Sequence, residues 1–470
     1  MTGQSSAKIE VPSQQDATEK FGLHVGVLGP IETLAQSVSA MAPSTSSSLT
    51  IPLVFALAGN ATWFVYLLAT FATLLVGFCV SRFARLSASP GSLYSYTADT
   101  LPPAFGVVAA WGLLLAYIAT GASVAGGALY YAAVLSGQFL HWTPPPLAVS
   151  VLVCGAAGWI AYRDVKLSAE LMLWIEVFSL SLILIVLAVL VFHSGFLFDL
   201  DQLRLKGASV STLGPALVLA MFSFVGFEAA TTLGGEAREP LRTIPRAVIQ
   251  CAILAGVFFM LCSYSEVLGF RGESSKLSDS TSPLHLLANK AGVSLLGLGI
   301  DLGAAVSMFA CVLACTTAAA RVLMKMAARG LLTRGLERTS TRHGTPAKAI
   351  VVSVTLMFAA TSALTFRGLG GADVYDLAGS LAVFGFLTAY GLVAAALPFA
   401  RRALGQHSHF VAALSALTIA VMVLIVIFDL RSATDARHAL IPWIYLGYIA
   451  AGSGWYGLRR KRPVPSILAG

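Results

Sequence analysis

The chain has 470 residues, 57% of them hydrophobic and only 11% charged, with a formal net charge of +8. A mean hydropathy of +0.80 excludes a soluble multidomain protein and defines an all-α integral membrane protein. The positive charge would suit nucleic acid, but most of the 30 Lys and Arg fall in alternate loops. That distribution is topological, calls for no nucleic-acid partner, and places both termini in the cytoplasm of a multi-pass cell-membrane protein.

Residues 1–24 are polar, without an apolar core or a small-residue cleavage site, and read as a flexible cytosolic tail and not a signal peptide. Runs of about 20 weakly charged residues suffice to cross the hydrocarbon layer as helix. They predict twelve transmembrane helices near 30–58, 61–83, 104–135, 146–162, 167–193, 212–234, 246–268, 293–320, 346–365, 374–397, 408–429 and 440–458. Residues 459–470 form a second, basic cytosolic tail. All six cysteines fall inside these runs as small apolar residues, which leaves none for a disulfide. Cys311 and Cys315, one turn apart without a histidine nearby, read as packing residues, and no metal site is expected.

Two of the runs are interrupted. The first contains Ser37 to Ser48, with Pro43 inside a cluster of hydroxyls. Proline removes a backbone donor and clashes with the preceding turn, so the helix is expected to open there. The sixth contains Phe222-Ser223-Phe224-Val225-Gly226-Phe227-Glu228, a glycine and a carboxylate at mid-membrane depth, and is followed by a charged, proline-punctuated segment from Glu236 to Arg246. Irregular backbone at that depth persists only where protein buries it or a cavity meets it. Spans one and six occupy equivalent places in two five-span halves. Paired interruptions of that kind point to a midplane binding site between inverted repeats.

Between spans two and three, Pro90-Gly91-Ser92-Leu93-Tyr94-Ser95-Tyr96 reads as a turn and an interfacial segment. Gly121, Gly126 and Gly127 in span three read as a packing face. Glu170, Glu266 and Asp301 lie toward span ends, where loop or interfacial placement accounts for them.

With these residues in view, the chain resembles the amino acid/polyamine/organocation transporter superfamily, and within it the prokaryotic amino acid permeases. The resemblance rests on Phe224 to Ala230 followed by Gly235-Glu236-Ala237-Arg238-Glu239-Pro240-Leu241-Arg242-Thr243-Ile244-Pro245-Arg246-Ala247, on Pro90 to Tyr96, and on Arg321 to Gly330. It implies a five-plus-five inverted repeat, with broken helices 1 and 6, over about 25–193 and 212–400, and two peripheral helices over 401–458. The opened first helix would then face a substrate carboxylate with its N–H groups, and the sixth an ammonium group with its carbonyls. Substrate-binding positions are Ala42, Pro43, Ser44, Thr45, Ser46, Phe222, Ser223, Phe224, Val225 and Gly226. Where the family has a glycine-rich opening this chain has Pro43-Ser44-Thr45, so one N–H donor is missing and the hydroxyls of Ser44, Thr45 and Ser46 stand in its place.

The resemblance also gives Phe222 the position of an aromatic gate and Glu228 that of a proton sensor, each with a packing alternative. Glu176 in span five is a second carboxylate for proton coupling. The lysine some proton-coupled relatives carry in that span is replaced by Ser179. Thr316 and Thr317 in span eight offer hard oxygen ligands for a sodium site, or interhelical hydrogen bonds. Tyr117 in span three is placed to reach the cavity with its hydroxyl.

No histidine cluster, phosphate loop or nucleophile motif is present in the sequence, so neither an enzyme nor an ATP-driven pump is expected. The sequence reading is a secondary active transporter of amino acids or related organic amines, acting by alternating access as a proton-coupled symporter. It uses no cofactor beyond the coupling ion, H+ or else Na+. The alternatives are an exchanger of an amino acid for an amine, a sodium symporter and a non-transporting sensor. Its partners are the lipid bilayer and the small-molecule substrate, and the sequence leaves the oligomeric state open.

Overall fold

A computed structural model of the chain describes residues 22–193, 198–271, 273, 276–280, 282–432 and 436–459. Most of the tail expected over 1–24, and all but Arg459 of that expected over 459–470, lie outside the described residues. Apart from one isolated bridge between Leu28 and Ala237, the described residues form only helices and turns. Nine helical runs among them are long and apolar enough to cross a bilayer, and Val210–Phe222 is an apolar helix too short to do so alone. The chain is a multi-pass helical membrane protein.

Its elements in chain order are α1 (Pro30–Met41), α2 (Ile51–Ala58), α3 (Thr62–Ala84), α4 (Ser92–Ala98), α5 (Pro103–Leu140), α6 (Pro146–Arg163), α7 (Val165–His193), α8 (Val210–Phe222), α9 (Pro240–Gly269), α10 (Pro283–Lys290), α11 (Ser294–Ala328), α12 (Ala347–Phe366), α13 (Gly371–Ala403), α14 (His409–Ser432) and α15 (Ala436–Arg459). Proline opens α1, α5, α6, α9 and α10 at the first helical position, where its fixed φ is already helical and its missing N–H is no loss.

The long helices α5, α11 and α13 form the centre. Between α5 and α13 the backbones approach so closely that a β-carbon on Gly385 would fall 2.5 Å from the Gly112 carbonyl, and one on Gly371 2.6 Å from that of Gly126. Lipid offers apolar surfaces no gain over one another, so helix contact here rests on close van der Waals packing, which small residues permit. Leu152, Trp159, Val351 and Trp443 are more than half exposed, as lipid-facing side chains are.

Four expectations are corrected. The sixth apolar run, expected over 212–234, is helical only to Phe222; residues 223–228 follow as turns, and a 3₁₀ segment runs from Ala229 to Leu233. The seventh span, expected from 246, starts earlier, because Pro240 opens α9 and Pro245 lies within that helix. Arg321, placed after span eight by the sequence, lies inside α11, which continues to Ala328. Glu266 and Asp301, assigned to span ends, are 0% and 1% exposed. Hydropathy does not mark helix limits: residues 223–233 are buried but not α-helical, whereas polar residues enclosed by protein extend α9 and α11 past the apolar runs.

Candidate functional site

The first break begins at Ala42, which adopts a left-handed conformation (φ 47°, ψ 67°) and donates its N–H back to Val38 and Ser39. Pro43 then restarts a single turn to Thr45, and a π-helical stretch, Ser46–Thr50, leads into α2. Proline fits the first position of a new turn, and the wide π turn accommodates a local insertion, often at a functional position. In a restarted helix the N–H groups at the second and third positions, here Ser44 and Thr45, have no intrahelical acceptor. The hydroxyls of the same two residues are buried without a hydrogen-bond partner. Ser47 and Ser48 instead turn their hydroxyls back onto the carbonyls of Pro43 and Ser44, at 3.0 and 2.9 Å. The opening thus concentrates donors at Ser44 and Thr45, which compensates for the donor that Pro43 lacks.

The second break winds in tight turns: Ser223, Phe224, Val225 and Phe227 each donate to the carbonyl three residues back. Gly226, at φ +92°, lies against α1, where a β-carbon would come within 2.9 Å of both Ala40 Cβ and the Ala40 carbonyl oxygen. Just beyond, the Ala230 N–H donates to the Ser37 hydroxyl at 2.9 Å. The two breaks are therefore in contact. The carbonyls of Ser223 and Val225 accept no backbone hydrogen bond among the described residues. Phe224, Val225 and Ser223 are buried, and Tyr66 of α3 meets the Ser223 hydroxyl at 3.2 Å.

Phe222, at the end of α8, sets its ring edge-on to Tyr375 of α13, with 5.4 Å between ring centroids, and rests on Gly379. Tyr375 in turn pairs with the Thr50 hydroxyl at 2.8 Å, so an aromatic bar joins the end of the π stretch to α8 and α13. On the other side of the breaks, Glu228 is fully buried and accepts hydrogen bonds from Tyr117 of α5 at 2.9 Å and Tyr390 of α13 at 2.7 Å. Tyr390 was not singled out in the sequence. It lies one turn after Phe386, whose ring meets both Tyr117 and Tyr390, and nothing in the sequence alone marks it.

Glu176 of α7 accepts from Ser307 of α11 at 2.7 Å through one oxygen, while its other oxygen is buried and unpartnered. Ser179 donates to the Gly303 carbonyl at 3.0 Å. Thr316 directs its hydroxyl to the Met357 sulfur at 3.5 Å, and Thr317 gives its carbonyl to Arg321 at 3.0 Å. Cys311 donates to the Ala40 carbonyl at 3.2 Å and lies 4.0 Å from the Cys315 sulfur. Among the described residues no group of three or more His, Cys, Asp or Glu is placed to hold a metal ion.

At the end of the bundle that carries Arg329 and Asp99, the strand-like pairing of Leu28 with the chain after the second break closes the core: Leu28 N–H donates to the Glu236 carbonyl at 3.0 Å, and Arg238 N–H to that of Leu28 at 2.8 Å. Beneath it Arg321 and Glu236 form an ion pair, 2% and 1% exposed. The guanidinium Nε contacts both carboxylate oxygens, at 3.1 and 3.3 Å, so the buried charges satisfy each other. Both residues lie within segments that carried the family resemblance; their partnership across 85 positions was not legible from either segment alone.

Two interrupted apolar helices, in contact at their breaks, are thus enclosed by longer ones in a helical membrane protein. The chain belongs to the amino acid permease family, whose pattern it matches over residues 28–452. It is 29% identical over 314 residues to the uncharacterized transporter Rv1999c of Mycobacterium tuberculosis, spanning 64% of this chain and 68% of that protein. It is 24% identical over 362 residues to the branched-chain amino acid permease BcaP of Bacillus subtilis, spanning 73% and 74%. Its fold is similar to that of a manganese transporter of Eremococcus coleocola, with a TM-score of 0.60 at 13% identity over 97% of this chain and 98% of that one. The protein is a transporter and not an enzyme.

Proposed function

We propose that the protein is a secondary active transporter of amino acids or related organic amines, working by alternating access around the two contacting breaks. The reading takes the twelve spans as two inverted five-span repeats, about 25–193 and 212–400, followed by two peripheral helices over 401–458, with both termini in the cytoplasm of the cell membrane. The observation that carries it is the pairing of complementary groups: Ser44 and Thr45 supply donors and unpartnered hydroxyls, and Ser223 and Val225 supply unclaimed carbonyls. An α-amino acid carries a carboxylate for the first set and an ammonium for the second. The name of the relative BcaP, a branched-chain amino acid permease, supports an amino acid substrate.

Phe222, joined to Tyr375 and through it to Thr50, is the gate on one side of the substrate. Glu228, bridged to Tyr117 and Tyr390, closes the other side and couples it to a proton. When the carboxylate is ionised both tyrosines donate to it; when it is protonated it must itself donate, and one bridge rearranges. Glu176 is the second proton-handling group. The direction of the Thr316 hydroxyl toward Met357 favours proton over sodium coupling.

Proteoliposomes test the whole reading. Accumulation of a labelled amino acid or amine driven by an imposed pH gradient, without sodium, is the expected result. Flux that needs substrate on the far side would make the protein an exchanger, and binding without flux would end the transport reading.

A further inference from the structure

Glu266 of α9 is 0% exposed, and neither of its carboxylate oxygens has a hydrogen-bond partner. Burying an ionisable group without a partner is among the costliest arrangements a fold can hold. Neutralisation from the protein itself is not at hand. Arg271, Lys290 and His285, basic groups that follow it in the chain, are committed to Asp199 at 2.9 Å, Glu273 at 2.8 Å and Asp301 at 2.6 Å.

The surroundings of this carboxylate lead back to the substrate site. Its field reaches Tyr66 of α3, whose hydroxyl meets Ser223 in the second break at 3.2 Å. It also reaches Tyr131 of α5, whose hydroxyl faces Ser48 in the π stretch of the first break. One turn before it on α9, Cys262 sits beside Ser47 of that same stretch. The orphan carboxylate thus stands behind both breaks, near Tyr66, Tyr131 and Cys262, side chains that reach them.

We propose that Glu266 is the docking group for a second positive charge on the substrate, a primary ammonium remote from the end held at the breaks. This rests on the reading of the breaks as the substrate site. An ammonium brings three N–H donors to two bare oxygens. A small inorganic cation fits less well, since hard ions demand a shell of about six oxygens and no group of three or more His, Cys, Asp or Glu gathers among the described residues. Two solutes share the chemistry: a basic amino acid, which also has a carboxylate for Ser44 and Thr45, and a diamine, which does not.

The test compares uptake of labelled lysine, putrescine and leucine into proteoliposomes holding the full-length protein, its Glu266→Gln and Glu266→Asp variants. Thermal melting of each protein is followed with and without the three solutes. The wild type is expected to favour lysine or putrescine over leucine. Glu266→Gln should lower that preference at least tenfold and abolish the melting shift given by the cation, and Glu266→Asp should keep most of both. Preference for lysine or for putrescine tells whether the substrate carries a carboxylate. Uptake of leucine alone by the wild type overturns the proposal and leaves the transporter reading standing, as does a Glu266→Gln preference within twofold of wild type or a change confined to the pH profile. Absence of uptake for all three, with no cation-induced melting shift, removes both. Should Glu266→Gln not fold, the neutral Glu266→Met variant takes its place: loss of the cation-induced melting shift supports the proposal, and retention of that shift overturns it.

Discussion

Gly226 and Ala40 are in such close contact that the two interrupted helices have no room for a methyl group between them: a β-carbon on Gly226 would lie 2.9 Å from that of Ala40. The φ of +92° at Gly226 adds a conformation that L side chains rarely adopt. A Gly226→Ala substitution meets both obstacles at once, the left-handed backbone alone costing about 1–2 kcal/mol. Uptake is expected to fall at least tenfold and the melting temperature to drop in purified protein. Unchanged uptake would mean that the two breaks move apart without consequence.

Glu228 with Tyr117 and Tyr390 makes a bridge whose donors and acceptor are fixed by the charge on one carboxylate. In Glu228→Gln the amide cannot change protonation, so the dependence of uptake on external pH should flatten and the maximal rate fall by an order of magnitude or more. Tyr390→Phe removes one donor and should shift the pH profile without flattening it. A Gln variant with the parent's pH profile would assign the glutamate to packing.

The unpartnered hydroxyls of Ser44 and Thr45 give a prediction in which stability and function move in opposite directions. A buried polar group without a partner costs about 1–3 kcal/mol. Removing both hydroxyls in a Ser44→Ala/Thr45→Val double variant should therefore raise the melting temperature of the empty protein while weakening substrate binding at least tenfold. A variant that is both less stable and fully active would show that these hydroxyls are bonded in the working protein.

Much of this was legible in the chain itself. Pro43 and Gly226 announce the interruptions because each denies the helix something specific, an N–H in one case and a β-carbon in the other. What the sequence did not reveal were partnerships. Glu266 looked like an end-of-span residue because only three positions separate it from the glycine that ends α9; its burial comes from helices far away in the chain. Tyr390 is one tyrosine in an apolar helix until Glu228 is seen to face it. Helix α8 was drawn too long because the turns after Phe222 are as apolar as the helix before them, and hydropathy does not distinguish the two.

Phe222 gives the fourth prediction. Its ring reaches from α8 to Tyr375 and Gly379 on α13, so Phe222→Ala opens a gap that water can enter. Expression and folding should persist while uptake is lost or its KM rises tenfold. Transport at the parental KM would place the ring among ordinary packing side chains.

The Arg321 and Glu236 pair is the fifth. Removing one member of a buried pair strands the other, at a cost of about 3–5 kcal/mol. Arg321→Met and Glu236→Gln should each destabilise the protein strongly in a melting assay. The double variant should recover a large part of that loss, because no bare charge remains. Additive losses would show that the two residues act on separate parts of the fold.

The proline after Ala42 has one more consequence. A residue with φ fixed near −65° and no N–H, preceded by one at φ 47°, leaves the helix short of one backbone hydrogen bond whatever surrounds it. On the proposed reading of the breaks as the substrate site, the cradle is then largely preformed and not a shape induced by its cargo. In the proposed transport cycle, loading would then need little ordering of the main chain, and the movement between the two faces of the bilayer would fall to helices rocking around this point.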